Sequence, residues 1–280
     1  MAYFEKARTG AEIIREIETT KVPYGMLAIW FIGQCGVILK GGKTVIFIDP
    51  YLAPSPSRAF DPPFHAEAIS HADYVFITHE HSDHLDIHTI EILAASHPSI
   101  RYVTPGYCRD KMIKLGVKED RLLTLRTDEW RREPGFRVKA LPSAHEELDY
   151  DPELGYRCVG YVFELNGVKL YHAGDTVVYP GLVESLETES IDLGMLPING
   201  RDLFRNARNI VGNMNFREAA ELAVAAGFDT VVPLHYDMFR GNGEHPGYFV
   251  DYLYERHPTQ KSHVMARFER YIYVSRAALV

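Results

Sequence analysis

Cysteine is scarce in this 280-residue chain: there are three, Cys35, Cys108 and Cys158, far apart and without Cys-x-x-Cys spacing. That excludes a disulfide framework and suggests no thiolate zinc site, so the three read as small buried hydrophobes in a reducing compartment. Apolar runs long enough to span a bilayer are also missing; the longest, over residues 26–32 and 45–48, are strand-length. Residues 1–8 carry charges of both signs and lead into an amphipathic helix over 11–17, unlike a signal peptide, so a cytoplasmic location is expected. No Pro/Gly/Ser-rich linker, low-complexity stretch or short repeat divides the chain, and residues 1–280 are expected to form one domain. Positive charge is in deficit, with 30 Lys and Arg against 38 Asp and Glu and a formal charge of -8. This argues against an extended nucleic-acid surface, whereas a small anionic substrate needs only a local positive site.

The composition that remains, 46% hydrophobic and 24% charged, is ample for a core. After the first helix, the pattern predicts strands over 26–32, 36–39 and 45–48, with Gly41-Gly42 turning between the last two. Asp49-Pro50 ends this antiparallel opening, and the Pro-rich stretch 54–63 reads as an ordered surface loop. A buried strand is expected over 74–78, a helix over 86–96 and another from Pro105 to Gly116. Further strands follow over 136–141, 158–165 and 168–172, the last two joined at Asn166-Gly167, and then over 193–197 and 230–234. Between these final strands Asn215 caps a helix, with Glu218 three residues later, Gly227 just past its end, and Ala219, Leu222, Ala223 and Ala226 on one face. Two β-rich halves, each with helices, suggest an α/β fold of the αββα sandwich type, two mixed sheets face to face with helices outside. Three strand ends deliver metal-capable residues: His79, His172 with Asp175 just beyond, and His235.

In His79-x-His81-x-Asp83-His84 four such side chains fall within six residues. Imidazole suits zinc, manganese or iron, and a carboxylate supplies a hard oxygen ligand or takes a proton. The structural alternative is a set of solvated or capping residues, with Asp83 capping the helix near Asp86. In a loop after a strand, His79 and His81 can face one way while Asp83 and His84 turn toward a neighbouring position.

The segment resembles the first motif of the metallo-β-lactamase superfamily, H-x-H-x-D-H, and the resemblance continues in order. Ala144-His145-Glu146 is similar to its isolated metal histidine, Ala173-Gly174-Asp175-Thr176 to its G-D motif, and Leu234-His235-Tyr236 to its last histidine. Trp30 through Gly36, followed by Ile48-Asp49-Pro50, looks like its entry hairpin. The resemblance implies a metallo-β-lactamase fold and two divalent metal ions, zinc or manganese. One would be held by His79, His81 and His145 and the other by Asp83, His84 and His235, with Asp175 bridging.

Within the superfamily the chain is most similar to the L-ascorbate-6-phosphate lactonase-like branch. The likeness lies in the helix before Trp30, in Tyr171-His172-Ala173-Gly174-Asp175, and in the run from Asn213 through Asp237. The middle of this chain is shorter than in that branch, and His145 favours a fully dinuclear site.

These features imply a metal-dependent hydrolase whose nucleophile is a metal-bound hydroxide, ligated and oriented by Asp83. The expected reaction is opening of a small sugar-derived or phosphorylated lactone. The nearest alternative is a phosphodiesterase acting on a small diester or cyclic nucleotide; further alternatives are persulfide oxidation at a single iron and metal binding without catalysis. Substrate contacts are expected from Asn199, Arg201 and Tyr236, with Arg205, Arg208 and His245 as neighbours, since guanidinium groups can hold a phosphate or carboxylate. The expected partner is a small molecule, with no nucleic acid or membrane, and homo-oligomerisation is left open.

Overall fold

Thr9 opens the first helix, α1 (Gly10–Thr19), through a capping box in which its hydroxyl accepts from the Glu12 amide and Glu12 reaches back to the Thr9 amide. The computed structural model describes residues 9–279, so the reading of residues 1–8 lies outside them. Ile13 and Ile17 form the buried stripe of α1, which lies on the strands that follow: β1 (Met26–Gly33), β2 (Gly36–Gly41) and β3 (Thr44–Ile48).

The continuous apolar run of β1 is resolved by parity, because alternate side chains leave opposite faces of a strand. Leu27, Ile29 and Phe31 point into the core between the two sheets, while Ala28, Trp30 and Ile32 pack beneath the helices. β2 and β3 divide the same way. The β2–β3 turn is made by Gly42 and Lys43, one residue later than the sequence pattern suggests, since Gly41 still pairs with Thr44. Gly42 takes a positive φ of 60° there, which glycine adopts at little cost.

Parallel strands β4 (Tyr74–Phe76), β5 (Arg101–Val103) and β6 (Leu122–Leu123) extend this sheet, crossing over through α2 (Ile87–Ser96) and α3 (Arg109–Lys114). Asp86 caps α2, so Asp83 is free of that duty. The helix expected from Pro105 begins instead as a 3₁₀ turn over Gly106–Cys108 and becomes α-helical at Arg109.

The second half repeats the plan. β7 (Arg131–Glu133), β8 (Phe136–Pro142), the small hairpin β9 (Tyr150–Asp151) and β10 (Gly155–Tyr156), β11 (Val159–Leu165) and β12 (Val168–His172) precede the parallel strands β13 (Leu193–Pro197), β14 (Thr230–Leu234) and β15 (Lys261–Ser262). Asn166 and Gly167 both take positive φ, 54° and 81°, as a type I′ hairpin turn requires. Helices α4 (Leu182–Glu187), α5 (Leu203–Asn206), α6 (Phe216–Ala225) and α7 (Pro246–Arg256) belong to this half, α6 with the Asn215/Glu218 capping box expected for it. The last strand, β16 (Arg270–Val274), returns to the first sheet and pairs antiparallel with β1, covering what would otherwise be an open edge.

Among the described residues, two mixed seven-stranded sheets, ordered β16-β1-β2-β3-β4-β5-β6 and β15-β14-β13-β12-β11-β8-β7, face each other across the larger core. This is the αββα sandwich. Phe76 lies at its centre, edge-on to Tyr161 at 5.0 Å and Phe163 at 4.9 Å. Each such buried ring is worth about 1.5–3 kcal/mol by transfer area, so the strand ends around it are held firmly. No helix among the described residues is long and apolar enough to cross a membrane. The parallel strands set the stage for chemistry: Ile48 pairs with Phe76, and Leu234 with Pro197, so their following loops emerge at one rim.

Candidate metal centre

The backbone beyond β3, β4, β12 and β14 delivers polar side chains to that rim. Asp49 follows β3 with φ 46°, Thr78 and His79 follow β4, Asp175 lies beyond β12, and His235 follows β14 with φ 56°. Gly174, at φ 60°, passes so close to Thr78 that a Cβ would lie 2.8 Å from the Thr78 Cβ, so glycine is required where the second sheet's loop touches the first's.

Two groups of side chains converge. In one, His79 Nε2 lies 3.0 Å from His81 Nδ1, and His145 Nε2 lies 3.2 Å from the same atom. Metal–nitrogen bonds of 2.0–2.1 Å around a tetrahedral ion set neighbouring donors roughly 3.3 Å apart, close to this arrangement. Thr78 Oγ1 gives its proton to Asp49 Oδ2 at 2.6 Å and so accepts from His79 Nδ1 at 3.1 Å, which leaves the His79 Nε2 lone pair facing the cluster. Burial, reinforced by His84, holds His79 well below the usual imidazole pKa. Burial brings His145 down to about 4. Both are therefore neutral donors near neutrality.

The second group contains His84, His235, Asp175 and Cys35, whose donor atoms lie within 4.8 Å of one another. Asp83 joins it, with Oδ2 3.7 Å from His84 Nε2 and 3.6 Å from His235 Nε2. The fully buried Asp49 accepts from His84 Nδ1 at 2.7 Å and from the Thr78 amide at 2.8 Å, turning His84 Nε2 inward. That Nε2 is buried and has no hydrogen-bond partner among the described residues, although Asp175 Oδ1 stands 3.3 Å away. Burial opposes charge on His84, yet Asp175, Asp49 and Asp83 hold its pKa well above the ordinary value. His235, also opposed by burial, is raised to about 9 by Asp175 and Asp83. Burial would raise the pKa of Asp83 and of Asp175, but His84 and His235 keep both well below the carboxylate range. Buried carboxylates here face imidazoles that must carry protons unless another cation takes their place. The orphaned Nε2 and this donor set fit a divalent ion.

Asp175 lies between the groups. Its Oδ1 faces His84, while its Oδ2 lies 3.2 Å from His235 Nε2 and 3.7 Å from His145 Nε2. All seven side chains singled out as ligands in the sequence, His79, His81, Asp83, His84, His145, Asp175 and His235, thus meet in one place. His172 does not join them: its Nε2 bonds the Cys35 carbonyl at 2.8 Å and its Nδ1 accepts from the Gly174 amide at 3.2 Å, so both nitrogens are spent on bracing the loops.

Three neighbours lie in the entry-hairpin segments the sequence singled out, but without a role at the site assigned to them. Asp49 anchors His84. Gln34, at φ 60°, donates to Asp83 Oδ2 at 2.7 Å and takes the His235 amide on its carbonyl at 2.8 Å. Cys35 places its thiol 3.6 Å from Asp175 Oδ1, where burial, followed by Asp175, pushes its pKa well up. It is buried, as expected, but against the metal donors rather than in plain core. The signal lay in Gly33-Gln34-Cys35-Gly36, a turn carrying a polar residue between two apolar strands.

The expected substrate contacts are engaged elsewhere. Arg201 forms a two-pronged pair with Glu218, at 2.7 and 2.8 Å, and donates to the Asn213 carbonyl at 3.0 Å. The buried Asn199 bonds the side chains of Asn242 and Asn213, at 2.9 and 3.0 Å, knitting loops together. The Tyr236 ring stacks on Phe31 with centroids 6.0 Å apart, and its hydroxyl donates to the Met265 carbonyl at 3.3 Å. Arg205 is tied to Asp202 and to the Asn199 carbonyl, Arg208 is exposed, and His245 precedes α7 without a side-chain capping bond. None of these six lines the space in front of the metal donors. That space is a cleft of about 390 Å³ whose walls include Asp83, Ile210, Val211, Phe239 and Asn242. It adjoins a second cleft, of about 650 Å³, on the His79 side, and His81, His145 and Val211 border both.

Comparison with known proteins bears on this geometry. Residues 44–236 match the family described as Beta-lactamase superfamily domain. A UPF0173 metal-dependent hydrolase of Thermococcus onnurineus is 31% identical over 218 residues, which cover 76% of this chain and 86% of that protein. A protein of Escherichia fergusonii named "Probable L-ascorbate-6-phosphate lactonase UlaG" is 23% identical over 82% of this chain and 75% of its own. Among solved structures, the metallo hydrolase Igni18 of Ignicoccus hospitalis superposes with a TM-score of 0.70 at 20% identity, covering 89% of this chain and 98% of that one. An isothiocyanate hydrolase from Delia radicum gut bacteria gives a TM-score of 0.68 at 19% identity, over 89% of this chain and all of that one; both likenesses concern the fold. The family match runs from β3 to the residue after His235 and so takes in every imidazole of both donor groups: this chain belongs to the beta-lactamase superfamily and is a metal-dependent hydrolase of the metallo-β-lactamase fold.

Proposed function

We propose that the chain hydrolyses a small lactone, using two divalent metal ions, one held by His79, His81 and His145, the other by Asp83, His84 and His235, with Asp175 shared. The observation that supports this most is the placement of Asp175, with carboxylate oxygens facing both donor groups. Zinc or manganese bound there supplies Lewis acidity and brings the pKa of bound water toward neutrality.

The side chains do the rest. Asp83, steadied by Gln34 at 2.7 Å, presents a carboxylate to the 390 Å³ cleft, where it accepts a hydrogen bond from the attacking water and orients it. A cleft of this size suits a small molecule. Ile210, Val211 and Phe239 give it an apolar wall that limits water around the reacting carbonyl.

A phosphodiester brings its own negative charge, and guanidinium groups are its usual partners. Of the loop arginines that could serve, Arg201 and Arg205 are committed to Glu218 and Asp202, and the exposed Arg208 does not line the cleft, which favours the carbonyl substrate. A second donor group also has no use in a single-iron oxidation. Purified protein reconstituted with zinc or manganese should open members of a lactone panel and leave bis-p-nitrophenyl phosphate nearly untouched. Turnover of the diester alone sinks the lactonase reading, and elemental analysis showing one iron per chain sinks the dinuclear one.

A further inference from the structure

The charge around the clefts points to a substrate class, an inference that rests on the metal-dependent hydrolase reading above. Among the described residues, four carboxylates, Glu80, Glu146, Glu147 and Asp149, border the 650 Å³ cleft, together with one guanidinium, Arg157. Arg157 is already spent: it donates to Asp149 Oδ2 at 2.6 Å and to Glu80 Oε1 at 2.5 Å, and its guanidinium lies 4.3 Å over the Tyr107 ring. These three side chains are partly exposed, but the two carboxylates hold the Arg157 charge in place.

Among the described residues nothing comparable neutralises Glu146 and Glu147. Both are exposed, and Glu146 Oε1 accepts only a long bond, 3.3 Å, from the Gly212 amide. Arg201 feels the Glu146 charge, but its guanidinium is engaged by Glu218. Lys111 donates to the Glu80 carbonyl at 3.2 Å and does not border the cleft. The adjoining 390 Å³ cleft has no Lys or Arg among its described lining residues. Apolar contacts are available instead, from Leu148, Tyr150 and Val211.

We infer that the mouth of this site selects against anionic substrates, with Glu146 and Glu147 as specificity-determining residues, and that its substrate carries an uncharged or cationic arm. Two exposed carboxylates within roughly a Debye length, about 10 Å in 0.1 M salt, repel an anionic arm and attract a cationic one. A phosphorylated lactone is the kind of substrate this arrangement disfavours.

The test compares three hydroxamates that share a metal-binding head and a chain length: hexanohydroxamic acid, its ω-carboxylated analogue adipic monohydroxamic acid, and 6-aminohexanohydroxamic acid. Binding to metal-loaded protein is followed by calorimetry at low and high salt. The carboxylated probe is expected to bind about fivefold or more weakly than the amino probe at low ionic strength, with the gap closing in salt. The gap should also close in the Glu146→Gln/Glu147→Gln double variant, which keeps an oxygen for the Gly212 amide, while affinity for the neutral probe stays unchanged. Equal or tighter binding of the carboxylated probe overturns the proposal. A protein shown by elemental analysis to hold metal, yet binding none of the three, removes the clefts as a ligand site and this proposal with them. Failure to take up metal at all is a different result and defeats the two-metal reading itself.

Discussion

Replacing Asp49 by Asn isolates the step that turns His84 toward the metal donors. Asp49 Oδ2 accepts from His84 Nδ1 at 2.7 Å and from Thr78 Oγ1 at 2.6 Å, while Oδ1 accepts from the Thr78 amide at 2.8 Å. Asparagine has nearly the same shape and tolerates the left-handed backbone, φ 46°, at this position. With its oxygen on the Thr78 amide, however, it presents an NH₂ group to His84. The Thr78 hydroxyl can rotate and accept; His84 Nδ1 can accept only by moving its proton to Nε2, the atom that must stay unprotonated to hold a metal. A hydrogen bond to a charged group is worth about 1.5–3 kcal/mol net, and loss of such a partner behind a metal-bound imidazole typically costs 10–100-fold in affinity. At about 1.4 kcal/mol per tenfold, that is roughly 1.4–2.8 kcal/mol, in agreement. Chelator competition on Asp49→Asn should show this loss at one of two sites, with the His79, His81 and His145 site retained. Metal affinity within about twofold of the wild type, in a variant that unfolds at the wild-type temperature, would refute the orienting role.

Asp175→Ala should lower metal content at both sites together, and unchanged stoichiometry by elemental analysis contradicts the bridging assignment. Asp83→Asn weakens the group that orients the attacking water and should reduce kcat by about 10²-fold or more, read at saturating metal; a tenfold or smaller loss refutes that orienting role. Arg201→Ala breaks the pair with Glu218, so it should cost roughly 0.5–1 kcal/mol of stability in denaturant titration and leave KM unchanged. A large rise in KM would return Arg201 to the substrate. Metal removal should lower the unfolding temperature, because it leaves the buried Asp175 with protonated imidazoles alone for counter-charge; metal at 100 times its Kd stabilises by about 2.7 kcal/mol.

The fold was legible where pattern and chemistry coincide. The apolar runs of β1 and β3 announce strands buried on both faces, Asn166-Gly167 announces a hairpin, and Asn215 with Glu218 announces a capped helix, because each signal is carried by neighbours in sequence. β5, β6, β7, β9, β10, β15 and β16 are not in the expected pattern because they are short or lie at sheet margins, and for β16 the pairing is decided far along the chain, where it meets β1 across more than 200 residues. α7 is absent from the expected elements although Pro246 marks its first turn, because a proline opens loops as readily as helices.

The ligands and their supports differ in the same way. Clustered histidines are conspicuous because they have few other uses, whereas Asp49, Gln34 and Cys35 are ordinary residues made special by burial and by a turn of the backbone. Charge near a motif proved the poorer guide. Arg201 follows a strand at the right rim, where the sequence leads one to expect a substrate contact, yet Glu218, the third residue of a capped helix, has a second use for its carboxylate. It accepts from the Asn215 amide at 2.9 Å and grips Arg201 through both oxygens. An arginine within reach of a capping glutamate is drawn to the helix end, where the pair is fixed by geometry the helix itself creates. The same competition applies to Arg205 with Asp202 and to Arg157 with Glu80 and Asp149. With the arginines near the rim thus spoken for among the described residues, except the exposed Arg208 and Arg240, recognition falls to apolar walls, to the metal donors and to Glu146 and Glu147, which form no ion pair among the described residues.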